Sequence, residues 1–362
     1  MLPVANEPIL AHVLSAVAEA GIEEVILVVG YQRDRIQTYV GNGDAWGLDV
    51  SYAVQQHQHG TGHAVQHVQA LVDDEFLVLN GDRIIDADLV ERVRDTGDAD
   101  ATATVSVTRV ATPDAYGIAL MAEDTLVRIE EKPVGDPPTD LINAGVYRFG
   151  ASIFGAIDSV PRSADGELQL TSAITQLAAC GSVEVVRYRG CWLDISYPWD
   201  LLSVNDELLV GVSTPHQGSV DSSSVMTDCV NVGEGTTIGP HATINRGTAV
   251  GPNVTIGANA VVSNAVVMAD ATIAPGAVVR DGIVDENATI GPNATVTGGT
   301  GPVVINDTVH HDVQLGGVIG ANAQIGGGAV VTPGTIVGAD VRISPGCVVD
   351  GRIDDAAIVR GA

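Results

Sequence analysis

Val232-Gly-Glu-Gly-Thr-Thr-Ile238-Gly-Pro-His-Ala-Thr-Ile244 is the stretch that decides the architecture of the second part of this 362-residue chain. Aliphatic residues stand six apart in it, and the spacing continues through Val250, Ile256 and Val262. The series skips once, resumes at Val267, Ile273 and Val279, and runs on through Val284, Ile290 and Val296. After an irregular passage it restarts as Ile319, Ile325, Val331, Val337, Ile343 and Val349. Neither the helical period nor the alternation of a plain strand produces this pattern. A hexapeptide repeat does, each repeat being one short strand and one turn of a triangular solenoid whose coils stack on their neighbours. The aliphatic residue points inward, and the glycines and asparagines between tolerate the positive φ of a tight corner. Such solenoids serve as scaffolds, often trimeric, and as acyltransferases, so the period alone carries no chemistry.

Working back toward the N-terminus, the Ser-, Thr- and Pro-containing stretch 212–224 marks a change of composition and reads as a linker between a domain over 1–211 and the repeat domain over 225–362. The first domain shows a different grammar. Ile9, Val13, Leu14 and Val17 keep helical spacing until Gly21 stops them. Val25-Ile-Leu-Val-Val29 is a continuous apolar run closed by Gly30, the look of a strand buried on both faces of a parallel sheet. Asp49–Val54 and Phe76–Leu79 read as further strands, with a Gly60-Thr-Gly62 turn and a short helical segment between them. A helix over Ala87–Asp95, strands over Ala101–Thr108 and Ala144–Phe149, and helices after Leu168 and over Trp199–Val210 follow. Strands alternating with helices predict a doubly wound, Rossmann-like α/β domain. The strand at Phe76–Leu79 ends in Asn80-Gly81-Asp82, which places a carboxylate at the carboxyl edge of the sheet, where open α/β folds collect ligands and metals.

The formal net charge is −28. Lys132 is the sole lysine, and arginine supplies every other fixed side-chain positive charge. An acidic, lysine-poor surface suits a protein dissolved in concentrated salt, where screening removes self-repulsion. An ordinary acidic cytosolic protein is the alternative. No basic patch exists to neutralise phosphates, so nucleic acid and anionic membranes are not expected partners. Cys180, Cys191, Cys229 and Cys347 lack C-x-x-C spacing and read as buried apolar residues in a reducing compartment. With no signal peptide and no apolar run of membrane-spanning length, the expected location is the cytoplasm.

Met1–Leu10 (MLPVANEPIL), Gly60-Thr-Gly-His-Ala64, Leu79-Asn-Gly-Asp82, Glu131-Lys-Pro133, Asn143-Ala-Gly145 and Trp192-Leu-Asp194 together resemble the sugar-1-phosphate nucleotidylyltransferases. Over nearly its full length the chain resembles their bifunctional members, the uridylyltransferase/acetyltransferases that make UDP-N-acetylglucosamine, and the archaeal relatives of these. The resemblance implies a left-handed β-helix for the repeats, commonly trimeric, and a set of roles. Gln55 would read a pyrimidine base, with Gly60 and Thr61 closing around it. Asp82 and Asp194 would hold Mg²⁺, a hard cation that also keeps phosphate oxygens and waters. Read without the family, either aspartate is a turn cap. Lys132 would contact the sugar phosphate, a task for which a compact ammonium is not interchangeable with a guanidinium. Asn143, Gly145 and Glu167 would hydrogen-bond the hexose. The implied substrates are a pyrimidine nucleoside triphosphate and a sugar 1-phosphate; a non-catalytic protein that binds a sugar nucleotide is the contrasting reading.

Two departures from the family pattern stand out. The opening strand and glycine-rich loop, whose backbone N–H groups cradle the triphosphate, would lie ahead of Met1. The expectation is that translation begins upstream. In the bifunctional members a solenoid histidine is the general base of acetyl transfer from acetyl-CoA, a role that would fall to His311. The helping tyrosine is replaced by Gln314, the asparagine position falls at Pro333, and the repeat region has no lysine, so a loop histidine pair interrupting the solenoid is the competing reading.

Overall fold

The computed structural model describes residues 2–72, 75–97, 101–133, 135–163, 165–181, 183–210, 217–306 and 308–361. Two compact units emerge. One runs from Ile9 to Leu193, and the other joins Leu2–Pro8 to Asp194–Ala362. A short hairpin, β1 (Pro3–Val4) and β2 (Glu7–Pro8), opens the chain and belongs with the second unit.

The first unit continues with α1 (Ile9–Glu19), β3 (Glu24–Val29), α2 (Arg33–Val40), β4 (Asp49–Val54), α3 (Thr61–Gln66) and β5 (Glu75–Leu79). Then come β6 (Arg83–Ile85), α4 (Ala87–Asp95), β7 (Ala103–Arg109), β8 (Gly117–Ala122), β9 (Thr125–Glu131) and β10 (Leu141–Gly150). It closes with α5 (Ser152–Ser159), α6 (Leu170–Cys180), β11 (Val183–Arg187) and the start of β12 (Trp192–Asp194). The alternation of strands and helices read from the sequence is present, and α4 and β4 keep the expected bounds.

β10 is the hub of the main sheet. It pairs antiparallel with β5, β7 and β8, while β11 joins β7 in parallel and β9 joins β8 antiparallel. Tyr147, Phe149, Ile153, Ile157 and Ile174 fill the layer between this sheet and α5 and α6. On the other side Leu89, Val90 and Val93 of α4 pack with Ala16 of α1, with Ala20 just beyond it and with Val146. One expectation is corrected. β3 pairs only with β4 among the described residues, and Val25–Val28 are half-buried rather than enclosed on both faces. A strand bonded along a single edge lacks the second neighbour that would cover it.

The second unit carries the hexapeptide solenoid. Thr237–Ile238 pairs in parallel with Thr255–Ile256, which pairs with Thr272–Ile273, and so on through Ile358–Val359. Every aliphatic residue of the six-residue period, from Val232 to Val349, lies in one continuous core. Each rung thus buries the face that the rung before it leaves open. Asn253, Asn259, Asn287, Asn293 and Asn322 take positive φ at the corners, as the repeat chemistry predicts. The skip is absorbed by two long strands, Val261–Val267 and Val278–Val284, paired in register. The irregular passage forms an antiparallel hairpin, Thr300–Ile305 with Thr308–Gln314. Pairing of the first rung begins at Ser219–Val220, inside the stretch read as a linker from its composition; residues 211–216 lie outside the described residues.

α7 (Pro198–Leu209) fastens the opening hairpin to this solenoid. Pro198 stands at its first position, where a missing N–H costs nothing. The fully buried Asn205 accepts from the Ala5 N–H at 3.0 Å and donates to the Gly247 carbonyl at 2.9 Å. Asn231 Nδ2 donates to the Ala5 carbonyl (3.0 Å), and Asn6 Nδ2 to the Val250 carbonyl (2.8 Å). Ala5 and Asn6 both have positive φ, the twist that a two-residue hairpin turn demands. Asp206 and Arg246 add a two-bond ion pair between α7 and the solenoid.

Candidate functional site

In the first unit, the segment after β4 turns through Gly60 into α3. Gly60 has φ +95°, and a Cβ there would lie 2.6 Å from the Leu168 carbonyl oxygen. Only glycine permits that approach. The approach is sealed by two backbone bonds, Leu168 N–H to the His59 carbonyl (2.7 Å) and Gly62 N–H to the Leu168 carbonyl (2.8 Å). It brings Glu167, exposed, against Gly60. Thr61 is exposed overall, yet its hydroxyl accepts from Leu170 N–H at the first turn of α6 (3.2 Å). The structure therefore gives Thr61 a defined architectural task at the place where the sequence suggested a ligand contact.

Gln55, at the end of β4, is half-buried and its Nε2 lies 2.7 Å from His63 Nδ1. His63 stands in a row of imidazoles, with ring centroids 5.2 Å from His59 and 4.5 Å from His67, and His57 one step further at 5.8 Å from His59. Desolvation lowers the pKa of His63 below the ordinary histidine value, and the charges of His67, His59, Arg162 and His57 lower it further. Sequence reading passed over this row, although His59, His63 and His67 stand four apart, the spacing that stacks side chains along a helical face.

A second cluster forms around Trp192. Its indole N–H donates to the Ala144 carbonyl at 2.8 Å, its ring packs edge-on against Tyr116 at 5.8 Å, and the Arg83 guanidinium lies over it at 5.8 Å. Each contact leads to a residue singled out in the sequence. Ala144 sits in the Asn143–Gly145 bulge of β10, where the register against β7 slips. Gly145 there has φ +81°, and a Cβ would fall 2.6 Å from Asn80 Nδ2. Asn143 Nδ2 donates to the buried Tyr147 hydroxyl (2.6 Å), and Asn143 Oδ1 accepts from Gly145 N–H (3.2 Å). Burial raises the Tyr147 pKa far above its ordinary value, so that hydroxyl stays protonated. Arg83 pairs with Asp82 at 3.2 Å, and the Asp82 carboxylate remains 69% exposed at the end of the strand. Tyr116 accepts the Lys132 N–H at its carbonyl (3.1 Å).

Lys132 itself is exposed and has φ +40° immediately before Pro133. A residue before proline is normally confined to extended backbone, and a non-glycine residue at positive φ is uncommon anywhere. The lone lysine of the chain is thus held in a costly conformation.

In the second unit, Asp194 Oδ2 accepts from Ser196 Oγ at 2.6 Å, and Asp200 Oδ2 accepts from the N–H groups of Ser196 (3.1 Å) and Tyr197 (2.8 Å). Tyr197 and Trp199 stack at 4.5 Å, and His310 of the hairpin packs against both, at 4.8 and 5.2 Å. His311, its neighbour in sequence, is exposed. Gln314 donates to Asp281 Oδ2 (2.7 Å) and accepts from Thr300 (3.0 Å), so it ties the hairpin base to the solenoid. Among the cysteines only Cys347 is buried; Cys180 is exposed and Cys191 and Cys229 are half-buried, which corrects the expectation for those three. Cys180 closes α6, at a helix end rather than on its packed face.

As for a metal, Asp82 and Asp194 each offer the hard carboxylate oxygens that Mg²⁺ takes. Among the described residues there is no group of three or more His, Cys, Asp or Glu side chains placed to hold a metal ion. A cation bound by one or two carboxylates completes its shell with phosphate and water. No helix among the described residues is long and apolar enough to cross a membrane.

Comparison with known proteins adds the family. Residues 1–210 match the nucleotidyl transferase model, residues 226–316 match a GMPPB C-terminal domain, and residues 316–351 match the bacterial transferase hexapeptide (six repeats). The chain is 29% identical over 385 residues to a bifunctional protein GlmU of Methanococcus maripaludis, covering 99% of this chain and 91% of that protein. To the GlmU protein of another strain of that species it is 33% identical over 244 residues, covering 67% of this chain and 57% of the relative, little more than half its length. It is 35% identical over 242 residues to a glucose-1-phosphate thymidylyltransferase of Streptomyces antibioticus, covering 66% of this chain and 68% of that protein. A Bacillus anthracis crystal structure assigned as a glucose-1-phosphate thymidylyltransferase shares the fold, with a TM-score of 0.53 and 24% identity over 59% of this chain and 87% of that one. With its first 210 residues matched end to end and hexapeptide repeats behind them, this chain belongs to the nucleotidyl transferase family.

Proposed function

We propose that this protein transfers a nucleotidyl group from a pyrimidine nucleoside triphosphate to a sugar 1-phosphate. A phosphate oxygen of the sugar phosphate attacks the α-phosphorus, a new P–O bond forms, and the bond to the β-phosphate bridging oxygen breaks to release pyrophosphate. Such a reaction asks the protein mainly for positioning and charge neutralisation. The observation that supports the reading most is Lys132, the single ammonium of the chain, fixed at positive φ on the rim of the cluster around Trp192. A compact ammonium suits a phosphate, and the backbone conformation of Lys132 is the kind of strain that persists at functional sites. Gln55 reads the base, the Gly60–Thr61 turn closes over it, and Asn143, Gly145 and Glu167 face the hexose. Asp82 and Asp194 would hold Mg²⁺, which supplies charge neutralisation at the phosphate oxygens.

The test is pyrophosphate release from UTP, dTTP, CTP and ATP with a panel of sugar 1-phosphates, in this chain and in a version carrying the genomic sequence upstream of Met1. Lys132→Arg is expected to lower kcat/KM about 100-fold, the scale of a misplaced positioning group. Absence of pyrophosphate release in both versions with every pair overturns the reading.

A second reading has support in the near full-length likeness to relatives named bifunctional. In it the solenoid, as a trimer, acetylates an amino sugar phosphate from acetyl-CoA with His311 as base; acetyl-CoA consumption abolished by His311→Ala would favour it. The acidic surface, with a net charge of −28, suits a cytoplasm of concentrated salt.

A further inference from the structure

We infer that His63 is the positioning residue that sets which way the Gln55 amide faces, and thereby which pyrimidine the site accepts. The inference rests on the reading of Gln55 as the base reader.

An amide is a two-faced reader, with an acceptor on one side and a donor on the other. Uracil and thymine present an N–H at ring position 3, whereas cytosine presents a bare nitrogen there. An amide free to flip would serve both. Gln55 is not free, because its Nε2 lies 2.7 Å from His63 Nδ1. Nε2 can only donate, so Nδ1 accepts and the imidazole carries its proton on Nε2. Gln55 Oε1 is then the group left to meet the ligand, and an acceptor there selects a base with an N–H.

The imidazole is itself held in place. His59 and His67 each pack edge-on with it, at 5.2 and 4.5 Å, and His67 Nδ1 is bonded to the His63 carbonyl at 2.9 Å. The groups whose charges act on it are His57, His59 and His67 on its own segment and Arg162; of the neighbouring elements, the loop that meets Gly60 carries Glu167 and α5 carries Asp158. Asp158 is engaged by Gln66 Nε2 at 2.7 Å, and α6 brings no charged side chain. Desolvation and the nearby Arg162 guanidinium both favour the neutral ring. If the ring is protonated, Nδ1 becomes a donor, the amide turns over, and Nε2 faces the ligand instead.

The experiment is calorimetric titration of the full chain with UTP and with CTP, for the unaltered protein, His63→Ala, Gln55→Ala and the double variant. The readout is the ratio of the two Kd values, which a general loss of structure lowers for both ligands alike. The expected result is a preference for UTP that falls about five- to tenfold in His63→Ala, the scale of one hydrogen bond. Gln55→Ala and the double variant should then be indistinguishable, because His63 acts only through Gln55. In the unaltered protein the preference should also fall as the pH drops below the ordinary histidine range, and in His63→Ala it should not. A preference that survives His63→Ala unchanged overturns the positioning role and leaves Gln55 as base reader. A preference unaffected by Gln55→Ala, or no preference in the unaltered protein, overturns the reading of Gln55 and this inference with it.

Discussion

Replacing Asn205 by alanine should loosen the opening hairpin from the solenoid. Asn205 is fully buried, and its amide answers two backbone groups at once: the Ala5 N–H at 3.0 Å and the Gly247 carbonyl at 2.9 Å. Alanine leaves both without a partner. Gly247 is buried and Ala5 half-buried, so the first loss carries the full penalty of a stranded polar group and the second a part of it. Summed, the cost is about 2–4 kcal/mol. Asn205→Asp sharpens the logic, since a carboxylate still accepts from Ala5 but sets an oxygen against the Gly247 carbonyl; it should cost at least as much. Hydrogen exchange read by mass spectrometry on peptides covering residues 2–8, together with denaturant unfolding, measures both. If Asn205→Ala unfolds within about 0.5 kcal/mol of the unaltered protein and the Ala5 amide keeps its protection, the clamp as described is wrong.

Two further outcomes follow from geometry already given. Gly145→Ala forces a side chain into positive φ and onto Asn80, and should cost about 2–4 kcal/mol in thermal unfolding, with sugar-phosphate binding lost in parallel; a variant as stable as the parent refutes the close approach. Asp200, capping α7, has its pKa raised chiefly by burial, with the charge of Asp194 adding to it against the opposing backbone hydrogen bonds. A carboxyl raised in the folded state takes up its proton earlier than in the unfolded chain, so its cost is fully present above the raised value and is relieved as pH falls through it toward the ordinary value. Asp200→Asn keeps an acceptor and drops the charge. Its stability relative to the parent should be greatest at neutral pH and shrink toward pH 4, and a difference that does not vary with pH argues against a raised pKa.

The solenoid was legible because its signal is one-dimensional. Each rung needs an aliphatic residue at one position and a corner former beside it, and Ile238, Ile256 and Ile273 sit on one another with no long-range information required. The α/β unit was legible where one element carries its own pattern, as in α1 and α4, and less so where neighbours decide. Val25–Val29 has the composition of an enclosed strand, but enclosure depends on what pairs with its second edge, which no local pattern records. The same holds for the sites. Asp82 and Lys132 announce themselves by motif and by scarcity. The bond from Gln55 to His63 and the clasp of Trp192 on Ala144 depend on where chain segments far apart in sequence meet, or on rotamers that composition does not specify. Cys180 misled because cysteine is usually buried and a helix terminus overrides that habit.

The hairpin at residues 3–8 also imposes an order on biosynthesis. Its partners Asn205, Asn231 and Val250 emerge from the ribosome 200 or more residues later. At about 5–20 residues per second, the opening segment waits on the order of ten seconds or more with its seat unmade. Throughout that interval the Ile9–Leu193 unit can fold on its own, and residues 3–8, made before it, are sewn in after it.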